Sequence, residues 1–351
     1  MEKIKNNIFF LLKEGSIVLW DYENHQQYRL SKDYLERIVD IAQGAEIVED
    51  AISADLRASS VLSPSHNKPP EWGWDDLSWI FHQGTKNPPF VESHSQEWFK
   101  AYLTDCGHKT PPELDLKSRL DQTKIDLFPF DPTLFKNALF LDVLDQRTTS
   151  REFTSEEIDF KSFSSLLYKS FAYMKDPWGN DSQIEILGRH KVSASAGGLH
   201  PFNFYIIVNA VETIDPGLYI YAIEEHALYL QKTGDFRQEM IHCVSGQDFA
   251  KELSFGIFLV ADFRKVWWKY EHSRGYRHVL LDAGHQSQTF LLMATALQLL
   301  TWVTGALDDR ATEDFLEISE SYLSPMLFLG AGKGEPKTLS TSMLSQILSN
   351  N

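Results

Sequence analysis

Residues 264–300 contain the feature that most constrains how this chain can fold, a long apolar helical pattern. From about Gly275 to Leu299 the sequence has no proline, and apolar residues recur at the three- and four-residue spacing of a helix. Other apolar side chains fall on further faces of the same helix, and a helix that is apolar on more than one side is normally buried. The span 290–303 includes polar residues and is shorter than the roughly 20 residues that cross a bilayer. We therefore expect a central helix of a soluble protein, with apolar surface suited to a second subunit.

The composition excludes several classes of function. The 351 residues suffice for a full core and for two structural units. A formal net charge of −16 argues against a sequence-independent nucleic-acid binder, which needs a positive face. The two cysteines, Cys106 and Cys243, offer neither a disulfide framework nor a zinc-binding spacing, so we expect no metal site. The N-terminal apolar run is too short for a signal peptide, and we expect a cytoplasmic protein without a membrane segment.

The first 65 residues predict a small winged-helix-like module. Residues 7–30 have the pattern of two strands, and two helices follow at 32–42 and about 47–59. One functional interpretation is a peptide-binding domain that pairs a substrate strand with its exposed edge. The alternative is a subdomain that only packs on the core. Residues 66–131 are predicted to be a linker with short helices, so that the main unit covers 132–351.

Two arginines, Arg147 and Arg151, flank the hydroxyl residues Thr148, Thr149 and Ser150. Two cations with three hydroxyl groups at the exit of an apolar segment form a candidate phosphate site. The alternative is a solvated helix start, because arginines beside hydroxyl residues are common on protein surfaces.

A second candidate site is the small-residue sequence SASAGGLHP at 193–201, which leads into a predicted strand. Glycines such as Gly197 and Gly198 let the backbone approach a flat or anionic ligand and offer it N–H donors. The alternative is an ordinary tight turn, with His200 as a hydrogen-bonded buried histidine.

These motifs occur in one order with GLYIY at 217–221 and RGYRHVLLDAGH at 274–285. Together they resemble the nitroreductase-like flavoproteins, specifically the SagB-type (microcin-type) azoline dehydrogenases of peptide natural-product pathways. The resemblance extends from about residue 130 to 335, and EWGWDDLSWIFHQGTK at 71–86 is similar to an upstream segment of that subfamily. The chain departs from the pattern at Ala194, where the family usually has proline, and at Asn203, where it often has glutamate.

The resemblance implies an α+β fold, a mainly antiparallel sheet flanked by helices, in an intertwined homodimer with FMN at the subunit interface. Residues 132–351 would be the FMN-binding nitroreductase-like domain. By motif, Arg147, Thr148, Thr149 and Arg151 are expected to hold the flavin phosphate and ribityl chain. The other implied cofactor-binding residues are Ser195, Ala196, Gly197 and Gly198 along the ring, Thr304, Gly305 and Ala306 beside flavin N5, and Gly330 and Lys333 on the phosphate side.

The dipeptide Lys269-Tyr270 matches the residues that azoline dehydrogenases use as catalytic acid–base groups. Oxidising an azoline ring to an azole removes a proton from one ring carbon and a hydride from its neighbour, so the protein needs a base as well as the flavin. Burial beside Trp267 and Trp268 would disfavour the charged form of Lys269 and make it a better base. The alternative is a surface lysine next to core aromatic residues.

The function that the resemblance implies is an FMN-dependent dehydrogenase that converts thiazoline or oxazoline rings of a ribosomally made precursor peptide to thiazoles or oxazoles. An ATP-dependent cyclodehydratase would be its partner, because a linear cysteine or serine has no azoline ring to oxidise. Two alternatives stay open. One is a nicotinamide-driven FMN reductase of nitro, quinone or dehydroamino groups, and the other is a non-catalytic subunit that presents peptide to a partner enzyme.

Overall fold

A computed structural model of the chain describes residues 2–64, 72–87, 95–98, 100–101, 104, 123–174 and 190–349. The chain divides into two compact units. The first comprises Met1–Glu92 with His272–Arg274, and the second comprises Ser93–Glu271 with Gly275–Asn351. Our predicted boundaries after residues 65 and 131 remain a prediction.

The first unit is built on a three-stranded antiparallel sheet and two helices. The strands are β2 (Ile8–Lys13), β3 (Ser16–Asp21) and β4 (Gln26–Leu30), in that spatial order, and the helices are α1 (Lys32–Ala42) and α2 (Ala51–Ala58). Two shorter strands, β1 (Lys3–Ile4) and β5 (Leu62–Ser63), pair with each other. The sequence pattern predicts two strands over 7–30, and the structure corrects this to three. Glu14 and Gly15 both have positive φ, which is the backbone geometry of a two-residue hairpin turn and separates β2 from β3.

A short helix, α3 (Asp76–Gly84), also belongs to the first unit. Among the short helices predicted within 66–131, a second one at about 95–108 lies half outside the described residues. The ring of Trp72 packs edge-on against Trp79 and stacks on His82, with centroid distances of 5.2 and 5.0 Å. Arg274 donates from Nη1 to Thr85 Oγ1 at 2.8 Å. The upstream tryptophan-rich motif and the start of the RGYRH motif therefore share one compact unit.

The second unit contains a seven-stranded sheet in which every neighbouring pair is antiparallel. In spatial order its strands are β12 (Leu300–Thr304), β13 (Leu323–Gly332), β11 (Phe255–Asp262), β8 (Phe202–Val208), β9 (Gly217–Ala222), β10 (Ala227–Thr233) and β6 (Lys124–Asp126). Two short strands, β7 (Glu152–Phe153) and β14 (Gly334–Glu335), pair beside it. This large antiparallel sheet with flanking helices confirms the predicted α+β fold.

Helices cover both faces of the seven-stranded sheet. One face packs against α5 (Phe160–Phe171) and α8 (Tyr276–Ala296), and the other against α6 (Arg237–Cys243) and α9 (Asp309–Leu316). The unit also contains α4 (Phe140–Gln146), α7 (Arg264–Trp267) and α10 (Thr341–Ser349). Because β11 is covered from both sides, all 8 of its residues are buried, as is typical of a strand between two helical layers.

The helix predicted at 275–299 is α8, with 21 residues. Val279, Ala283 and Phe290 lie on its buried face, against the sheet. Leu280 and Leu281 lie on another face and are exposed. The burial expected on more than one side is therefore not present within a single chain. Among the described residues, no helix is long and apolar enough to cross a membrane.

Candidate active site

Residues 195–200 form a tight turn immediately before β8. Ala196–Gly198 is a single turn of 3-10 helix, closed by a hydrogen bond of 3.1 Å from the N–H of Gly198 to the carbonyl of Ser195. Gly197 and Gly198 have φ angles of 62° and 69°, in the left-handed region that glycine adopts without a side-chain clash. The two glycines are therefore required by the turn itself, whatever ligand it contacts.

The turn is held in place by Asp282 of α8. The buried carboxylate of Asp282 accepts hydrogen bonds from Ser195 Oγ at 2.5 Å and from the N–H of Ala196 at 3.1 Å. Ser195 Oγ accepts in turn from the N–H of His200 at 2.9 Å. Burial raises the pKa of Asp282, and the hydrogen bonds from Ser195 and Ala196 oppose that rise. One buried carboxyl group thus sets the conformation of the turn.

The end of β11 leads directly to the Lys-Tyr dipeptide. Asp262 is fully buried, and its carboxylate accepts from Nε and Nη2 of Arg264 at 3.0 and 2.7 Å. This ion pair fixes the start of α7. Beyond α7, the N–H groups of Lys269 and Tyr270 both donate to the carbonyl of Val266, at 3.1 and 3.0 Å. The dipeptide is therefore held about one helical turn past the sheet.

Lys269 and Tyr270 both turn back onto Gly197, and we call these three residues the Gly197 group. Lys269 Nζ donates to the carbonyl oxygen of Gly197 at 3.3 Å. A Cβ atom added at Gly197 would lie 2.8 Å from Lys269 Nζ and 2.9 Å from the Tyr270 hydroxyl. Burial, together with the charge of Asp282, raises the pKa of Tyr270. An amine and a protonated phenol therefore meet over one α-carbon, which is an arrangement suited to proton transfer.

The surroundings of Lys269 differ from those predicted. The sequence predicts burial beside Trp267 and Trp268, but Trp267 is 53 % exposed and Lys269 is partly buried. The reason is the length of α7, a single turn that directs Val266 into the core and leaves Trp267 outside. Lys269 therefore contacts the glycine turn.

Sequence reasoning did not single out three polar side chains near this group, Asp282, His278 and His285. The ring of His278 lies 4.4 Å from that of Tyr270, and His285 Nδ1 lies 3.1 Å from the carbonyl oxygen of Ala194. The spacing of four and then three residues places the three side chains on one face of a helix. That spacing is the signal that could have identified them.

A second set of predicted residues lies along β12, and we call Arg147–Arg151, Thr304–Ala306 and Lys333 the Arg147 group. Thr149 forms a parallel bridge with Thr301, and the N–H of Ser150 donates to the carbonyl of Thr301 at 2.9 Å. The carbonyl of Thr148 accepts from Thr301 Oγ1 at 3.4 Å. The predicted phosphate segment is therefore in register with the start of β12.

The two arginines of this cluster have different surroundings. Arg151 Nη1 donates to the carbonyl of Thr338 at 2.6 Å, and its guanidinium lies 5.9 Å from the centre of the Phe249 ring. The side chain of Arg147 makes no hydrogen bond or ion pair with the residues that the structure describes. Arg147 is therefore available to an anionic ligand, whereas Arg151 already has structural contacts.

The end of β12 is open to solvent. Gly305 is exposed, and a Leu327 methyl group at 3.7 Å is the one described atom within 4 Å of a Cβ placed there. The N–H of Ala306 donates to Thr304 Oγ1 at 3.0 Å. Lys333 is also exposed, and its carbonyl accepts from the N–H of Thr154 at 3.1 Å. The backbone at Gly305 could therefore be approached closely by a flat ligand.

Gly330 pairs with Trp302 of β12, one residue along from Thr301. It is buried within β13, and a Cβ atom there would be 2.5 Å from a methyl group of Leu253. The missing side chain makes room for Leu253 in the core. The phosphate-side contact expected at Gly330 stays a prediction.

The Gly197 group and the phosphate segment of the Arg147 group lie at opposite ends of the sheet. Thr301 and Phe255 both pair with Ala331, which places the phosphate segment level with the start of β11. The glycine turn is joined to the end of β11, where the N–H of Asp262 donates to the carbonyl of Pro201 at 2.8 Å. At about 3.3 Å per residue, β11 spans about 23 Å. A single chain does not bring all of the predicted residues into one site.

Asn203, where the resembling family often has glutamate, has an unusual environment. Its Nδ2 atom is buried and has no hydrogen-bond partner among the described residues. A buried donor without an acceptor is costly. Asn203 therefore offers a hydrogen bond to a group that the described part of the chain does not supply.

Comparison with known proteins gives the family. Residues 144–333, more than half of the chain, match the profile of the Nitroreductase family. This chain belongs to the nitroreductase family. Members of the family are oxidoreductases that generally bind FMN.

Three similar proteins illustrate how far the likeness extends. The nitroreductase-family chain is 27% identical over 192 residues to a predicted nitroreductase of Methanocaldococcus jannaschii, covering 55% of this chain and 89% of that protein. It is 23% identical over 271 residues to the trifolitoxin operon protein TfxC of Rhizobium leguminosarum bv. trifolii, covering 74% and 73% of the two chains. The crystal structure of a predicted nitroreductase from Anabaena variabilis matches with a TM-score of 0.55 at 19% identity, over 85% of this chain and 53% of that chain. This structural match supports the shared fold.

Proposed function

We propose that this chain is an FMN-dependent dehydrogenase that oxidises thiazoline or oxazoline rings in a ribosomally made peptide, as the SagB-type azoline dehydrogenases do. The observation that carries the proposal is the convergence of Lys269 Nζ and the Tyr270 hydroxyl on Gly197. Ring oxidation needs a base in addition to a hydride acceptor, and a hydrogen-bond donor beside the base can orient the ring. The similarity to TfxC, a protein of the trifolitoxin operon, supports a role in peptide modification.

The residues of the Arg147 group fit the cofactor of the family. The uncommitted guanidinium of Arg147 suits a phosphate dianion, which arginine binds with two parallel hydrogen bonds. Thr149 and Lys333 would add a hydroxyl group and a second cation, and Gly305 leaves the backbone open to the flavin ring. Bound FMN would supply the acceptor for the hydride that leaves the azoline.

In this proposal the Gly197 group moves the proton. Lys269, in its neutral form, would take a proton from one ring carbon while the hydride leaves from the neighbouring carbon. Tyr270 would donate a hydrogen bond to the ring nitrogen and orient the ring. The substrate loses two hydrogen atoms per ring, and the product is a thiazole or an oxazole. Asp282 would hold the turn on which these groups meet.

We also propose that the active unit is a homodimer, because one chain holds the Gly197 group and the phosphate segment of the Arg147 group at opposite ends of its sheet. A second copy could bring its Gly197 group to the Arg147 group of the first. The helices α4 and α8 contact each other, and apolar side chains on them and at Leu139 are 50–70 % exposed; apolar surface exposed in this way favours an interface. These side chains are Leu139, Phe140, Leu141, Leu280 and Leu281. Light scattering of the flavin-loaded protein tests the dimer, and a monomer with one FMN per chain would contradict it.

The proposed substrate must be made before this enzyme acts. A linear cysteine or serine has no ring to oxidise, so we propose an ATP-dependent cyclodehydratase as the partner that closes the azoline. This proposal also fits a soluble, cytoplasmic enzyme that acts on a newly made precursor peptide. Co-purification of the two proteins with the peptide would measure the partnership directly.

Replacement of Lys269 tests the proposed chemistry. Lys269→Ala should keep FMN and peptide binding but oxidise azoline rings about 10²–10⁴-fold more slowly, because a positioned base is lost. Lys269→Arg should restore little activity, since a guanidinium remains protonated. Tyr270→Phe should be less impaired. Mass spectrometry of the cyclised peptide measures the loss of two hydrogen atoms per ring.

The matched control is Lys251→Ala, which removes an exposed lysine paired with Asp248 at 2.8 Å. This variant should oxidise rings like the wild type. If Lys269→Ala is also within a few-fold of the wild type, the lysine has no part in the reaction.

The nitroreductase named in M. jannaschii favours a second candidate, an NAD(P)H-dependent reductase. Rapid NAD(P)H consumption with a nitro or quinone substrate, without azoline oxidation, would support that function instead.

A further inference from the structure

The first unit contains an open groove that the proposed flavin chemistry does not use. Its volume is about 620 Å³, which is within the range of ligand-binding clefts. Strand β4 and the start of α1 line one side, and α2 with the residues after it lines the other. The buried side chains Leu19, Leu56 and Val61 form an apolar base. The groove therefore offers apolar contact area next to a β-strand.

The strand beside the groove is an edge strand. β4 pairs with β3 on one side, and no strand in the described part of the chain pairs with its other side. Alternate residues of such a strand direct their N–H and C=O groups outward, where they can bind another strand. An added peptide would place alternate side chains over the same face. The 5 residues of β4 match a peptide segment of similar length.

Of the two charged side chains that line the groove, one has a hydrogen-bond partner and the other has none among the described residues. Asp55, on α2, accepts a hydrogen bond from the hydroxyl of Tyr34. The side chain of Arg29 is exposed on β4 and makes no hydrogen bond or ion pair with the described residues. Its neighbours Tyr28 and Leu30 pack on the core of the unit, so Arg29 extends from the opposite face of the strand. An occupant added as a strand therefore complements this edge with an apolar side chain for the base of the groove and, at a neighbouring position on the other face, a carboxylate near Arg29.

We propose that this groove binds a segment of the peptide substrate as an added strand along β4, with an apolar side chain over Leu56 and a carboxylate at Arg29. The choice of a peptide as occupant rests on the proposed function. Binding here would select the peptide by its own sequence, separately from the ring that is oxidised. The groove gives the enzyme a second means of recognition, which a free azoline compound could not use.

The test uses short random peptides displayed on phage, selected against the full-length, flavin-loaded protein. Enriched peptides should combine apolar and acidic residues. In fluorescence anisotropy, Ala58→Trp should weaken their binding at least about 10-fold, because the indole would occupy part of the groove that Ala58 lines. The matched control is Ala54→Trp, at an exposed position of the same helix that does not line the groove. It should bind peptide like the wild type.

Two further substitutions examine the geometry of binding. Arg29→Glu should weaken binding of the acidic peptides and spare variants of those peptides in which the carboxylate is replaced by an amide. Proline placed along the peptide should weaken binding at every second position, because alternate N–H groups face β4. Uniform tolerance of proline would overturn binding as an added strand.

The inference is overturned if no peptide is enriched, or if Ala58→Trp binds the selected peptides like the wild type. It is also overturned if Ala58→Trp, unlike Ala54→Trp, abolishes self-association, since the occupant would then be a second copy. A second assay, oxidation of a small azoline compound without a peptide, tests the proposed function independently of peptide binding in the groove. If the protein binds peptide in the groove but oxidises no azoline, the inference about the groove stands and the proposed function is wrong.

Discussion

Lys269 Nζ and the carbonyl oxygen of Gly197 lie 3.3 Å apart, although 72 residues separate them in the sequence. The contact exists because β8 and β11 are neighbours in the sheet and the glycine turn enters β8 where β11 ends. The position of the candidate base therefore depends on the order of two core strands.

Gly197→Ala should reduce ring oxidation while leaving the fold intact. The new Cβ atom would lie 2.8 Å from Lys269 Nζ and 2.9 Å from the Tyr270 hydroxyl, and both flexible side chains would move away. The left-handed backbone should cost about 1–2 kcal/mol of stability, and we expect turnover to fall about 100-fold because the acid–base groups are displaced. The control is Gly246→Ala, which has φ 78° and no atom of the described residues within 4 Å of its Cβ position. Equal turnover in the two variants would contradict the proposed role of the turn.

Asp282→Asn should disturb the turn and shift the titration of Tyr270. An asparagine at position 282 would place an NH2 donor where the carboxylate now accepts a hydrogen bond from Ser195 Oγ or the N–H of Ala196. Ser195 Oγ already accepts from the N–H of His200, so one donor would be left without an acceptor, at a cost of about 1–3 kcal/mol. Loss of the negative charge should lower the pKa of Tyr270, because that charge and burial both raise it. Difference absorbance spectra against Tyr270→Phe measure this titration. Asp309→Asn is the control, since Asp309 acts on the pKa of Tyr276. An unchanged Tyr270 titration in Asp282→Asn would refute the prediction.

Arg147→Ala and Arg151→Ala should have different effects. Arg147 has no partner in the described structure, so its loss should weaken FMN binding about 10- to 100-fold without changing the stability of the flavin-free protein. Arg151 binds the Thr338 carbonyl at 2.6 Å, and its loss should lower that stability by about 1–2 kcal/mol. Flavin fluorescence titration and denaturant unfolding measure the two effects. Full FMN affinity in Arg147→Ala would remove this residue from the phosphate site.

Stability should fall in mild acid because of His226. Its ring nitrogens lie 2.8 Å from the Tyr221 hydroxyl and 2.8 Å from the Phe128 carbonyl, and burial lowers its pKa below the ordinary 6.5. The unfolded chain therefore binds the proton more tightly, so this contribution to stability is complete above about pH 6.5 and is lost as the pH falls. His226 has a positive φ of 47°, which asparagine also adopts readily. His226→Asn should therefore fold normally and show a smaller drop in melting temperature between about pH 7.5 and pH 5.5. Equal drops in the two proteins would argue against His226 as the cause.

Much of the fold could be predicted because its signals are local. The three- and four-residue spacing of apolar residues that predicts α8 lies within one short stretch of sequence. The dipeptide Lys269-Tyr270 and the glycine turn could likewise be identified as separate motifs. Their contact could not, because no local pattern specifies that β8 pairs with β11.

The surroundings of other residues also depend on the whole fold. Gly330 follows an apolar run near a strand end, and the sequence alone does not show whether such a glycine faces a ligand or the core. Its neighbour is Leu253, which lies far away in the sequence and reaches it only through the fold. The exposure of Trp267 has a similar cause, since it depends on where the single turn of α7 places each side chain.

The separation of the Gly197 group from the phosphate segment by the length of β11 has a genetic consequence for the proposed dimer. A chain with an altered Lys269 and a chain with an altered Arg147 would each be defective alone. Expressed in the same cell, they would form mixed dimers, in which one composite site receives both defects and the other receives none. Such a pair of alleles should complement each other and restore up to one working site per mixed dimer. Two alleles altered within the same group should not.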